Sequence, residues 1–386
     1  MSLKETVNSK MVFIDSYYKG LYGAPRSMLA LAKGLADEGN AVEIITTKYD
    51  ILATEAKKEG VKCVIFNTPS VLLMSRRSVN LFNRFYYVFT LFFFWISIVF
   101  KYSLGKYNTI CVNDIRSFLL FMPLLFLNGK KIIWYIRIND RVKFITKIAA
   151  FLSSKIVIIS SDCINVFSLK EQEVYKKKIF LVHTGFQITK PSIDAFLNKS
   201  HADTDKVFIT VGSICKRKNQ IAIIEAFSNI DAENKYLYIL GSPATEADYS
   251  YNDELLFKIK MLNIADKVSL IPHTPYVLNY LRMADFFLFA SHQEGLPRVV
   301  VEALLSGCYV ISAKVDGVND IIKNKNLGIV TTYSASSGFF AEEFLSLIEN
   351  VYEMDHDKEY RRHFIEENFS LAAYVKNFIN VVNVQR

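Results

Sequence analysis

The stretch FLFASHQEGLPRVVVEALLSGCYVIS, residues 287–312, decides how the chain is read. With Phe286 in front, FFLFAS (286–291) is a short apolar run of the kind that forms a buried strand. HQEGLP then reads as a turn and RVVVEALLSG as a helix. Pro297 stands near the first helical position, where its missing N–H costs nothing. YVIS returns to strand, so the whole is one strand–loop–helix–strand unit of a parallel sheet. The free N–H groups and positive end of such a helix favour an anion such as phosphate. Glu302 falls roughly two turns into the helix, at about 3.6 residues per turn, while Glu294 lies in the loop before it. Both carboxylates can therefore reach one ligand. Either glutamate alone is explained as well by a cap or a solvated side chain; the full string is more specific.

The same unit recurs outward in both directions. MVFID (11–15), AVEIITT (41–47), KCVIF (62–66), TICVN (109–113), KIIWYI (131–136), KIVIIS (155–160) and KIFLVH (178–183) are strand candidates separated by longer segments. A polar stretch, 188–206, interrupts the alternation. It resumes with KVFITVGS (206–213), KYLYILGS (235–242), KVSLIP (267–272), FFLFAS, YVISA (309–313) and GIVTT (328–332). The expected fold class is α/β, with two Rossmann-like, doubly wound domains facing across a cleft. Their expected limits are 1–190 and 191–365, with the helical close, 366–386, packing back on the first. In such sheets ligands sit beyond the carboxyl ends of the strands. That rule selects the loops at 15–26, 212–219, 241–250 and 291–298.

Composition narrows the function classes. Of 386 residues 51% are hydrophobic and 22% charged, which excludes a disordered chain. The net charge of +8 suits an anionic partner or surface. Five scattered cysteines carry no pairing or metal spacing and point to reduced thiols. The opening MSLKETVNSKMVFID has no apolar leader, so a cytoplasmic location is expected. No G-x-G-x-x-G follows the first strand, which argues against a dinucleotide enzyme. The basic residues form no recognisable nucleic-acid module, so no nucleic-acid partner is expected. The D-x-D strings at 203–205 and 355–357 do not follow a buried strand, and no metal is expected there.

The run FYYVFTLFFFWISIVF (85–100) is uncharged, but its 16 positions reach about 24 Å as a helix. That is short of the roughly 30 Å hydrocarbon core. It is readable as a span, as a buried core helix, or as a helix face lying in the membrane interface. Arg76, Arg77, Arg84, Lys101 and Lys106 favour the last, with an anionic membrane surface as partner through 76–106.

E-G-L-P-x-x-x-x-E between an apolar strand and A-L-L-S-G resembles the retaining family-4 glycosyltransferases, whose fold is called GT-B. VGSICKRKNQIAIIEAF (211–227) resembles the family's diphosphate loop, with Lys218 on the family Lys, Ser213 in the Arg position and Asn219 for a Gly. In YVISAKVDGVNDIIKNKNLGIVT, Asp316 and Gly317 occupy the family's double-glycine position and Asp320 its Glu position. At the front, Gly23 and Arg26 match the family's first loop, while Tyr22 stands where a Gly is usual. Asn139 or Arg137 stands where the family often carries a His, so no general base is named.

The resemblance implies transfer of a sugar, with retention, from a nucleotide diphosphate sugar to a saccharide hydroxyl. The expected acceptor is lipid-linked and belongs to surface polysaccharide assembly. Glu294, Lys218 and Arg217 would be catalytic. Glu302, Gly295, Leu296, Pro297, Ser213, Gly212, His292 and Gly23 would bind the donor, with Glu302 on the ribose hydroxyls. No cofactor or metal is implied beyond the donor itself. A nucleotide-sugar epimerase or hydrolase on the same fold, or an inactive binding subunit, stays open at this point.

Overall fold

In a computed structural model the chain folds as two compact units, Met1–Gln187 with Ser370–Arg386, and Ile188–Phe369. The structure describes residues 9–17, 23–74, 81–128, 131–187, 202, 204–352 and 357–384, and of 81–84 the backbone. Tyr22, Arg76, Arg77, the side chain of Arg84, most of the 188–206 stretch and part of each D-x-D string lie outside that description.

The first unit holds β1 (Lys10–Asp15), β2 (Ala41–Thr46), β3 (Lys62–Ile65), β4 (Thr109–Val112), β5 (Ile132–Ile136), β6 (Lys155–Ile158) and β7 (Ile179–Leu181). They form one parallel sheet in the order 3-2-1-4-5-6-7. The second holds β8 (Lys206–Val211), β9 (Lys235–Leu240), β10 (Val268–Ile271), β11 (Phe286–Phe289), β12 (Tyr309–Ser312) and β13 (Gly328–Val330). Their parallel order is 10-9-8-11-12-13. Every apolar run read from the sequence contains one of these strands. Strands such as IIWYI and KIVI are buried throughout rather than alternating, as expected when helices cover both faces of a parallel sheet.

In the first unit the strands are linked by α1 (Gly23–Asp37), α2 (Ile51–Lys58), α3 (Leu81–Lys101), α4 (Ile115–Leu127), α5 (Lys143–Leu152) and α6 (Leu169–Tyr175). The second unit has α7 (Gln220–Asn229), α8 (Glu246–Met261), α9 (Val277–Met283), α10 (Arg298–Ser306), α11 (Val318–Ile321), α12 (Phe340–Val351) and α13 (Lys358–Phe369). Its core is aromatic: Phe208 stacks on Phe286 at 5.0 Å and meets Phe227 edge-on at 5.8 Å. Such pairs add about 0.5–1.5 kcal/mol each beyond the area they bury.

The closing segment is not one helix. It breaks at Ser370, whose hydroxyl caps α14 (Leu371–Asn383) by accepting from the Ala373 N–H. On one side of the break, α13 is held by buried Arg361, which donates to Gly307 O at 2.9 Å and Asn326 O at 3.2 Å. On the other, α14 belongs to the first unit, with Phe378 between Phe13 and Tyr135 at 5.9 and 6.3 Å. The buried Lys155 ammonium donates to the last carbonyls of α14, Val381 O and Val382 O, at 2.6 and 2.7 Å, where a cation suits a helix C-terminus.

The 85–100 stretch lies in α3. Leu91, Phe94 and Ile98 point inward, and the Trp95 indole N–H donates to Leu119 O of α4 at 3.0 Å. Among the described residues no helix is long and apolar enough to cross a membrane. The core reading covers one face only, because the opposite face of α3 is exposed.

Candidate active site

In each sheet the strand order reverses at one place, between β1 and β4 and between β8 and β11. The loops leaving such neighbouring strands splay to opposite faces and open a crevice at their carboxyl ends. In the second sheet those loops are 212–219, leading to α7, and 290–297, leading to α10.

Glu294 joins them. One carboxylate oxygen accepts from Arg217 Nη1 at 2.7 Å, Lys218 Nζ at 2.8 Å and the Ser291 hydroxyl at 2.8 Å. Arg217 also donates to Gln293 O at 3.0 Å, and the His292 N–H donates back to Arg217 O at 2.8 Å. Burial alone would raise the Glu294 pKa. The Lys218 charge and hydrogen bond, then Arg217 and Ser291, more than offset it and hold the carboxyl below the usual glutamate value. Glu294 therefore stays ionised, and Lys218, mostly buried, is a cation stored at the crevice. Its stem packs beside Gly212, and its ammonium lies 5.1 Å from the Phe289 ring centroid.

Asn219 accounts for one departure from the family pattern. It has φ 54° and ψ 44°, the left-handed conformation, and turns the chain into α7. Glycine suits that position, and asparagine is the side chain that best tolerates it. Asn219→Gly is expected to change stability by less than about 0.5 kcal/mol, and Asn219→Val to cost about 1–2 kcal/mol. Denaturant melts of the two variants check this, and equal midpoints would contradict it.

On the α10 side, Pro297 is the residue just before the first helical turn, and Glu302 pairs with Arg298 across one turn at 2.7 Å. The backbone of Gly295 and Leu296 rests against Gly317, which has φ +78°. A Cβ on Gly317 would lie 2.2 Å from Gly295 O, so a side chain there and this loop cannot coexist. Gly241 plays a similar part between strands: a Cβ would lie 1.9 Å from Gly212 O. The tight meeting of those two strand ends leaves a hollow of about 280 Å³ lined by Ser213, Ser242, Pro243, Pro272, His273 and Val277, among others. His273 N donates to the Ser242 hydroxyl at 3.0 Å and ties the two lining loops together.

Of the remaining expected residues, Ser213 is exposed at the rim of that hollow and its carbonyl accepts from Gln220 Nε2 at 2.9 Å. His292 turns its ring to the Ser336 hydroxyl at 3.0 Å. Gly23 begins α1 in the first unit, with open space where a Cβ would stand.

The reversal in the first sheet carries a buried polar cluster that sequence reading missed, apart from Arg137. Arg137, at the end of β5, donates to Asn113 Oδ1 at 2.7 Å and to the Ser27 hydroxyl at 2.5 Å, and lies 3.7 Å over the Tyr135 ring. Its Nη2 is buried without a hydrogen-bond partner. Asp15 accepts from Tyr17 N at 2.7 Å and from the Asn113 amide. Asp114 accepts from Ser16 N and Oγ at 2.9 and 2.8 Å and caps α4 through Ser117 N. Beside them is a hollow of about 450 Å³ lined by Ser16, Asn113, Asp114, Arg116, Arg137 and Asp140, among others. The signal was present: each of these strands ends its apolar run on a polar pair or an arginine.

Burial, and then repulsion from Asp114, pushes the Asp15 carboxyl up to about 7 against the opposing bonds of Tyr17 N and Asn113. From about pH 4 to about pH 7 the folded protein therefore binds a proton that the unfolded chain releases. Stability attributable to Asp15 is highest below that window and falls as pH rises through it, by at most roughly 1.4 kcal/mol per pH unit. Asp15→Asn is expected to flatten the decline in Tm between pH 5 and pH 8, whatever its constant offset. Parallel Tm–pH curves for the two proteins would contradict it.

Residues 192–369 match the family described as Glycosyl transferases group 1. A Campylobacter jejuni enzyme, N-acetylgalactosamine-N,N'-diacetylbacillosaminyl-diphospho-undecaprenol 4-alpha-N-acetylgalactosaminyltransferase, is 30% identical over 35% of this chain and 36% of its own. The Staphylococcus aureus capsular polysaccharide biosynthesis glycosyltransferase CapH is 27% identical over 45% of this chain and 47% of its own. The chain thus spans between a third and a half of these curated relatives. Anabaena HepE, solved in complex with UDP, superposes with a TM-score of 0.76 at 16% identity, over 97% of this chain and 99% of that one. That likeness shows the fold, which is GT-B. The match to glycosyl transferases group 1 takes in residues 192–369, a little under half of the chain.

Proposed function

We propose that the chain is a retaining, metal-independent glycosyltransferase that moves a sugar from a nucleoside diphosphate sugar to a hydroxyl of a lipid-linked saccharide in surface polysaccharide assembly. The observation that carries this reading is the meeting of Lys218, Arg217 and Glu294 from two loops at the strand-order reversal of the second sheet. A departing nucleoside diphosphate gains negative charge, and fixed cations at that point lower the barrier without reorganisation. Lys218 and Arg217 take that role, with the backbone N–H groups at Gly295 and Leu296 beside the start of α10. Glu302 receives the ribose hydroxyls, and the hollow between loops 241–244 and 272–277 receives the base.

Glu294 sits against the donor sugar near its reacting carbon. The bond from that carbon to the diphosphate oxygen breaks, a bond to the acceptor oxygen forms on the same face, and the acceptor proton passes to the leaving phosphate oxygen. No protein base is then required. The first unit, with its Arg116- and Arg137-lined hollow, takes the acceptor. The names of the relatives support the acceptor class: the Campylobacter enzyme acts on a diphospho-undecaprenol saccharide and CapH serves capsular polysaccharide synthesis. HepE bound to UDP supports the donor class.

A panel of UDP-, GDP- and ADP-sugars tests this. One donor is expected to raise Tm by several degrees, since a ligand bound only to the folded state stabilises it. The same donor should be consumed only when a lipid-linked saccharide is added, with the rate changed less than twofold by EDTA. Equally fast consumption without acceptor would mark an epimerase or hydrolase instead. Donor binding with no turnover under any acceptor would mark a binding subunit.

A further inference from the structure

The outer surface of the first unit is unlike the rest of the molecule. α4 packs against both α3 and α5, so the three helices lie side by side. On α3, Leu91, Phe94 and Ile98 face inward at helical spacing. The opposite face presents Phe85, Phe89, Phe92, Phe93, Ile96 and Phe100, with Phe85 78% and Phe100 86% exposed. The pattern repeats on α5, where Thr146, Ala149 and Ala150 are buried while Phe144 and Phe151 are each 74% exposed. The last turn of α4 adds exposed Phe126 and Leu127. Soluble proteins scatter single apolar residues over their surface but rarely gather them on three adjacent helices.

The charge of the same segment says what covers this face. Residues 81–152 hold ten Lys and Arg but only two acids, Asp114 and Asp140. Their excess equals the +8 of the whole chain, so the remainder is neutral. Neither acid lies on the three helices: Asp114 caps α4, Asp140 is exposed in the loop before α5, and both line the 450 Å³ hollow. Lys143 and Lys147 stand exposed beside Phe144 and Phe151, and Lys101 beside Phe100. A second copy of the chain would set these cations against one another. Phenyl rings with flanking ammonium groups and no carboxylates are suited to the headgroup layer of an anionic bilayer.

We propose that the outer face of α3, with the end of α4 and the outward side of α5, is an interfacial anchor that lays the first unit on an anionic lipid surface. It stands on the geometry of that unit and is independent of the reaction proposed above. Flotation of the full chain with phosphatidylglycerol–phosphatidylethanolamine vesicles tests it, with pure phosphatidylcholine vesicles as the comparison. The protein is expected to partition at least tenfold more strongly into the anionic vesicles. Combined Phe85→Ser, Phe89→Ser and Phe100→Ser should reduce that partition about tenfold or more. Combined Lys143→Glu and Lys147→Glu should reduce it similarly and weaken its dependence on salt. All five side chains are exposed, and an unchanged Tm keeps the comparison clean. Failure of the wild-type chain to float with anionic vesicles, or equal flotation of the triple-Phe variant, would overturn the proposal. So would light scattering that shows a dimer which the triple-Phe variant converts to monomer.

Discussion

Lys218→Ala is expected to lower kcat by about 10²–10³, the usual loss when one preorganised group opposite a developing oxyanion is removed. Lys218 is the less exposed of the two cations on Glu294, with its side chain 12% accessible against 47% for Arg217. A charge held in that setting is less screened and acts more strongly on a leaving diphosphate. Arg217→Ala should therefore cost less, on the order of tenfold. The Lys218 change carries a second signature. Lys218 is the first of the groups that pull the Glu294 pKa down against burial, so its removal lets that pKa rise. The acid limb of the rate profile should then move to higher pH, and Lys218→Arg should restore both features in part. A kcat within threefold of wild type, with an unshifted acid limb, would remove Lys218 from the chemistry.

Gly317→Ala is expected to cost roughly 3 kcal/mol of stability or more and to weaken donor binding on the order of 100-fold. At φ +78° an alanine pays about 1–2 kcal/mol for the left-handed backbone alone. Its Cβ would also fall 2.2 Å from Gly295 O and 3.0 Å from Leu296 Cα. Both neighbours are backbone atoms, so no side-chain rotation relieves the clash and the 294–296 loop must shift. Gly23→Ala is the control, because nothing lies within 4 Å of a Cβ there. Its stability should match wild type or exceed it by a few tenths of a kcal/mol. Denaturant melts of the pair measure the stability effect, and nucleotide titration of the Gly317→Ala protein against wild type measures the binding effect.

The strands were legible because buried parallel strands are continuous β-branched and aromatic runs, and each such run became one strand. The partnership of Lys218 with Glu294 was half legible. The two lie 76 positions apart, and only the strand order that sets β8 beside β11 brings their loops together. The contact of Gly317 with Gly295 was not, since it depends on how one loop lies over another. Asn219 read as a departure from the family until its left-handed backbone explained it. The α3 sequence is apolar on every side, so periodicity gave no clue to which face meets the core. Packing of Trp95 on Leu119 settles it. The closing segment shows the opposite case: its apolar spacing is regular, and only the Ser370 cap reveals that it serves two units.

The most direct test of the donor site is a crystal structure with the nucleoside diphosphate that raises Tm most. Diphosphate oxygens are expected within about 3 Å of Lys218 Nζ, with the ribose on Glu302 and the base in the hollow beside Ser213 and His273. A nucleotide bound elsewhere, or one whose diphosphate turns away from Lys218 and the start of α10, would contradict it.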